Sequence, residues 1–435
     1  MAMKEISRHI LSIIILIGCI LGMESCINDD TSDCDGTTTG TQDKDQLRLV
    51  LHISSLDAGD PQSPDVTEKI KSLRVIILNE KNNKICLECN EKVIDSETVF
   101  NANQFQHTFT WSTIEGKKHF YLIANEESVK NVKTSSGEFE SLSGLLGSYT
   151  PDTTNATDFA EVIKSVYFEP KSAYDISDNS IYLPYTAYYY GYEMKIGEYL
   201  SENMYLVPVA TKFTFNFINK RANPVSVDNI TLSTIDTHNY LFANIDEEDQ
   251  FKTFGDEDET ELYWIDWLAK IAEESHKYGD FDKNENFNNK YGWISTYKIP
   301  EETEPYQAQL ISDNNKPSVP AKKDDTTPGI LQLGPFYLPE SKGEEKDGNG
   351  IEKEITEFRY FLTLGLTDEA TSTFPIFEDT PISNLKSLFR NTSVIINITM
   401  SEGDVEVYAE IEGWNPRNIN GWVTEGPQLS NAHKQ

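Results

Sequence analysis

The sequence is short of positive charge: 37 lysines and arginines stand against 71 aspartates and glutamates in 435 residues, a net charge of -34. Nucleic-acid binding needs the opposite balance, because phosphates are met by clustered basic side chains. No nucleic acid is therefore expected as a partner. Catalytic signatures are missing too. There is no G-x-S-x-G elbow, no H-E-x-x-H, no glycine-rich phosphate loop and no G-x-G-x-x-G. The seven histidines are scattered, and none is paired at metal-ligand spacing. Carboxylate pairs occur everywhere in so acidic a chain and carry no weight as glycosidase groups. The expectation is a protein that is not an enzyme and has no cofactor.

Cysteine is scarce, with five in all, and no disulfide framework follows from the three at 34, 86 and 89. Cys86 and Cys89 have C-x-x-C spacing but fall on a strand-like segment. Residues three apart on a strand face opposite ways, so neither a metal nor a redox site is expected there. Long apolar runs are also lacking, save one at the start. Lys4 and Arg8 precede Ile10 to Gly22, a run of about thirteen residues, where a membrane-spanning helix needs roughly 20. Positive, apolar, then small residues and cysteine is the order of a lipoprotein export signal. Cys19, in Leu16-Ile17-Gly18-Cys19, fits a generic lipobox. Cys26 sits where the apolar run has ended and a polar tether begins, and it is taken as the lipidated residue with Cys19 as the alternative. The plainer reading is an ordinary signal peptide with incidental cysteines.

What the chain has is enough apolar matter for folded cores, 38% of residues with 11% aromatic, and length for two domains. The expected division is a signal over 1–26, a tether over 27–45, β-rich domains over 46–202 and 203–425, and a tail over 426–435. Leu47, Leu49, Leu51 and Ile53 alternate with Arg48, Val50 and His52, the pattern of a strand with one buried face. Leu73 to Leu78, Lys84 to Leu87, Gln106 to Trp111 and Lys118 to Ala124 continue the strands, with short helices expected over 141–148 and 155–166, the latter capped near Thr157 or Asp158. Ile181 to Tyr192 holds six tyrosines. Such rings can form a sugar platform, but packing within a strand is the expected role. In the second half, strands are expected over 204–209, 212–219, 230–233, 334–338, 359–366, 392–400 and 405–411.

An insertion over 255–291 interrupts this second domain. Leu262, Ile265, Leu268 and Ala272 fall on one stripe of an expected helix over Glu261 to Lys277. After it, Asp280, Asp282, Asn284 and Asn286 offer oxygens at alternate positions as calcium loops do. The sixth position of that loop is Glu285 where glycine is needed, and the twelfth is Tyr291 where a bidentate glutamate belongs. These four are weak calcium candidates, and a plain acidic loop is the alternative.

Four stretches carry a family resemblance: S-C-I-N-D-D-T-S-D-C at 25–34, S-L-R-V-I-I-L at 72–78, H-F-Y-L-I-A-N-E at 119–126 and L-F-R-N-T-S-V-I-I-N-I-T at 388–399. In order and spacing the chain resembles the fimbrillins of the Bacteroidales type V fimbriae, which include the FimA, FimB and Mfa proteins. The resemblance implies an all-β fold of two tandem transthyretin-like β-sandwiches, here with a helical insertion in the second. It also implies export to the outer surface and polymerisation by strand exchange with other fimbrial subunits. Leu47, Leu49, Leu51 and Ile53 are then the strand-exchange edge. The tether looks most like that of an anchor subunit, held in the outer membrane by its N-terminal lipid. Polymerising members are cut near the first strand, often after an arginine. Here Arg48 lies within that strand, and the loop after it has no arginine. The implied role is a minor fimbrial subunit contributing to cell adhesion, with a tip adhesin or a surface glycan-binding lipoprotein as alternatives, the receptor being a glycan or a protein. Asp152-Thr153-Thr154 and Asp325-Thr326-Thr327 resemble the O-glycosylation motif of such bacteria.

Overall fold

The first strand alternates as its sequence demands except at Val50, expected on the outer face with Arg48 and His52 but buried. In a computed structural model of the chain, β1 (Leu47–Ser55) buries Leu47, Leu49, Leu51 and Ile53 and exposes Arg48 and His52. The structure describes residues 47–55, 68–101, 105–135, 137–151, 156–168, 182–195, 198–235, 239–242, 244–245, 251–254, 260–263, 297–298, 306–311, 316–342, 345–346, 352–353, 360–371, 377–382, 387–388, 390–402 and 404–413. The 58–65 loop, the calcium candidates Asp280, Asp282, Asn284 and Asn286, and both lipidation candidates, Cys19 and Cys26, lie outside those residues.

β2 (Lys69–Lys81) turns through Asn82 and Asn83, both at positive φ, into β3 (Lys84–Asn101), which runs well beyond the expected Leu87. Asparagine tolerates that left-handed backbone better than most residues do. β4 (Gln106–Thr113) and β5 (Gly116–Ala124) follow. Two short strands, β6 (Lys130–Thr134) and β7 (Gly137–Ser141), lead to a helix over Leu142–Gly147 whose first turn is capped by the Ser141 hydroxyl. A second helix spans Ala156–Ser165 and so begins before the cap expected at Thr157 or Asp158. After β8 (Tyr167–Phe168) come the tyrosine-rich β9 (Tyr185–Met194) and β10 (Tyr199–Pro208), which runs across the division expected at 202/203.

These strands form one sheet path, β3-β2-β5-β9-β10-β1-β4. β10 is its corner: Tyr199 to Leu206 pair with β1, whereas Val207 and Pro208 pair with β9. The core enclosed by this path takes Leu49, Leu51, Val75, Ile77, Phe120, Leu122 and Tyr189, and also Leu241, Phe242 and Tyr337 from later in the chain.

A second core begins at β11 (Thr211–Asn219), whose burial alternates residue by residue with Phe213, Phe215 and Phe217 inside. β11 lies between Gly329–Leu338, antiparallel, and Thr392–Ser401, parallel, and Asp404–Gly413 pairs with the latter. The facing sheet runs Tyr306–Ile311, β12 (Val225–Ile235), Phe361–Asp368, Phe377–Pro381. Valine, isoleucine and leucine from both sheets fill the space between. Of the helix expected over 261–277, only 261–263 are described, and they are strand: Thr260–Tyr263 pairs with Phe251–Phe254. Leu262 and Tyr263 have strand propensity as well as helix periodicity, and a paired partner strand decides between the two.

Candidate functional site

The first strand is the site the sequence points to, and its surroundings set what it can do. β1 is flanked on both sides, parallel to β10 and antiparallel to β4. It therefore presents no free edge. Leu49 lies level with Leu200 and Trp111, Leu51 with Glu202 and Phe109, and Ile53 with Met204 and His107. Phe109 and Trp111 stack with ring centroids 5.9 Å apart. On the outer face His52 bridges both neighbours, with Nδ1 3.3 Å from the Thr108 hydroxyl and Nε2 3.2 Å from the Ser201 hydroxyl. Glu202 is the exception among the inward-facing groups. Burial pushes its carboxyl up to about 7.

The strand's sheet is braced by ion pairs buried behind it. Arg74 grips Glu126 with both ends of its fork, Nε to Oε2 at 2.5 Å and Nη2 to Oε1 at 2.9 Å. Nη1 donates to Asn90 at 2.9 Å, and Ser143 donates to Glu126 at 2.9 Å. Beside Glu126, Asn125 takes a left-handed φ of 58° and its amide donates to the carbonyls of Lys69 and Leu183. Two separated stretches singled out by sequence, 72–78 and 119–126, thus meet through Arg74 and Glu126.

Two further ionic contacts connect the first core to residues of the later strands. Lys212 lies 2.6 Å from Glu68, whose carboxylate also accepts from the Tyr337 hydroxyl at 2.9 Å. Arg390, fully buried, donates to Glu340, to the carbonyls of Leu241 and Tyr240, and to the Thr186 hydroxyl of β9. Sequence reasoning missed these roles. Arg390 stands within the 388–399 stretch, but no periodicity marks a buried arginine.

The tyrosines of β9 are packing groups: Tyr185, Tyr188 and Tyr189 are buried, and Tyr188 stacks on Tyr121 at 4.5 Å. Cys86 and Cys89 differ as strand neighbours three apart should. Cys89 is a buried free thiol pushed well above its ordinary range by burial, whereas Cys86 is disulfide-bonded. No spacing among the cysteines at 34, 86 and 89 marks that bond in the sequence. Among the described residues no group of three or more His, Cys, Asp or Glu is placed to hold a metal ion. Asp325 and Thr326 lie on the surface, where Thr326 donates its backbone N–H and hydroxyl to Asp324. Thr153 lies outside the described residues.

A strand-built protein with a doubly paired first strand is the class that this geometry defines. Residues 47–229 match the family of the major fimbrial subunit protein, FimA, so this part of the chain is similar to the fimbrillins. Among solved structures, the tip fimbrial protein Mfa3 from Porphyromonas gingivalis, truncated at its C-terminus, is 14% identical with a TM-score of 0.44, covering 85% of this chain and 100% of that one. A fimbrilin (FimA) from Porphyromonas gingivalis is 10% identical with a TM-score of 0.39, covering 85% and 98%. A fimbrial assembly protein from Parabacteroides distasonis is 10% identical with a TM-score of 0.36, covering 84% and 94%. No curated protein matches the chain.

Proposed function

We propose that the chain is a non-enzymatic, lipid-anchored minor subunit that attaches or assembles a fimbria at the outer membrane. The observation that carries this reading is the double pairing of β1 directly after the tether. A first strand held between β10 and β4, with Leu47, Leu49, Leu51 and Ile53 in the core, already completes its own sheet. Such a subunit has no need to lose its N-terminal segment, and the lipid on Cys26 stays attached to the folded body. Its neighbour is engaged through strands elsewhere, among them Asp404–Gly413, the last strand of its sheet among the described residues.

Deleting the gene tests the role. Release of intact fibres into the medium is the expected result. Fibres that stay attached but lose adhesion would replace the anchor by a tip adhesin, and a specific signal from the soluble protein on a glycan array would favour a glycan-binding lipoprotein. Labelled palmitate should enter the wild-type protein and the Cys19→Ala variant but not Cys26→Ala; the reverse pattern moves the lipid to Cys19.

A further inference from the structure

Lys118 is a lysine with no exposure at all, in the middle of a sheet. It stands on β5 directly opposite Asn79 of β2, itself 1% exposed. Its ammonium nitrogen lies 2.8 Å from Asn79 Oδ1 and 2.9 Å from Glu88 Oε1 on β3. The carboxamide carbon is one carbonyl bond beyond that oxygen, so Nζ is within about 4 Å of Cγ, a small side-chain shift from the roughly 3–3.5 Å of a near-attack arrangement. The second oxygen of Glu88 accepts from the Thr113 hydroxyl at 2.6 Å, which fixes the carboxylate. The backbone of Gly116 closes the far side: a Cβ there would stand 2.2 Å from Asn79 Oδ1 and 2.9 Å from its Cγ. Water has no room on that flank of the amide.

An amine, a carboxamide and a carboxylate held together in a dry site are the reactants and the proton carrier of amide exchange. We propose that Lys118 and Asn79 join in an intramolecular amide bond between β5 and β2, with Glu88 carrying the protons. Burial pushes the Lys118 ammonium below its ordinary range, with Glu88 opposing part of the effect. That favours the neutral amine which attacks. Glu88 takes one proton from the ammonium, and Nζ adds to Cγ of Asn79. The Cγ–Nδ2 bond then breaks as Glu88 returns its proton to Nδ2. Of the three ammonium protons, one stays on the new amide and two leave with the old amide nitrogen as an ammonium ion. Charge balances, nothing is oxidised or reduced, and Glu88 ends as it began.

The bond would replace a buried ion pair, whose desolvation is costly, by a neutral link. It would also join β5 and β2 of the first sheet covalently, and on the proposed function these strands lie between fibre and cell.

The test is peptide mapping of the full chain purified in its folded form, digested after denaturation and reduction. The expected product is a branched peptide joining the Asn79 and Lys118 fragments, lighter than their sum by one ammonia. Linear Asn79 and Lys118 peptides from cooperatively folding wild-type protein would overturn the proposal. Glu88→Gln, with its fold checked by circular dichroism, is expected to give only the linear peptides; a branched peptide in that variant would remove Glu88 from the reaction. Lys118→Arg serves as the unlinked reference for both digests.

Discussion

The guanidinium of Arg390 lies 2.5 Å from the carboxylate of Glu340, with the two side chains 1% and 4% exposed. The other carboxylate oxygen accepts the backbone N–H of Arg390 at 2.8 Å. One residue pair thus fixes the entry into the strand Thr392–Ser401 and, through the Arg390 fork, holds it to β9 and to Leu241. Removing one partner leaves a buried charge alone. Arg390→Met is expected to lower the unfolding free energy by about 3–5 kcal/mol, read from urea denaturation. Replacing both, Arg390→Met with Glu340→Leu, should recover most of the loss. An unchanged midpoint in the single variant would show that the pair does not hold the strand.

The two faces of β1 should respond differently. Leu51→Ala removes a fully buried side chain level with Phe109 and is expected to cost about 2–5 kcal/mol. His52→Ala, on the exposed face, is expected to change stability by no more than about 0.5 kcal/mol. Equal losses at both positions in thermal unfolding would mean that β1 is not seated as described.

Glu202 makes stability depend on pH. Its folded carboxyl is raised by burial from 4.5 to about 7, so the folded chain holds that proton more tightly than the unfolded chain does. Its cost is absent below pH 4.5, grows as pH rises through the interval, and is complete above about 7. Glu202→Gln should therefore melt a few degrees higher than the parent at pH 8 and at the same temperature at pH 4. A gap of equal size at both pH values would assign the effect to packing instead.

Thiol chemistry should separate the two close cysteines. Cys89 is buried and its thiol is held protonated by burial and by the nearby Glu91 carboxylate, so maleimide should not label it in the folded chain. Cys86 should become reactive only after reduction. Labelling of Cys86 in unreduced folded protein would argue against its disulfide.

Strand existence was readable along the chain because one buried face forces a period of two, as in Leu47 to Ile53 and Phe213 to Phe217. Strand extent was not. β3 continues to Asn101 because β2 offers it a partner as far as Lys69 opposite Asn101, and a partner leaves no periodic mark on the strand that uses it. Buried polar groups were illegible for a related reason. Lys118 sits in a run, Lys117-Lys118-His119, that reads as solvent-facing until Asn79 and Glu88 are known to meet it. Leu262, which matches the periodicity of a helix, lies in a strand paired with residues 251–254, a contact that no local window contains.

The pairing of β1 with β10 and of β11 with Thr392–Ser401 has a consequence for the order of events as the chain is made. Each is the first long strand of its core, and each takes its parallel neighbour from near that core's end. A chain that emerges N-terminus first therefore carries β1 with one side unfilled until β10 has emerged, and β11 likewise until Thr392–Ser401 has emerged. Such distant pairings form slowly, and an apolar strand waiting in that state is open to capture by any other strand in reach. Folding of this protein should accordingly be limited by the arrival of late segments, and a chain halted before its final strands would leave the second core's opening strand exposed.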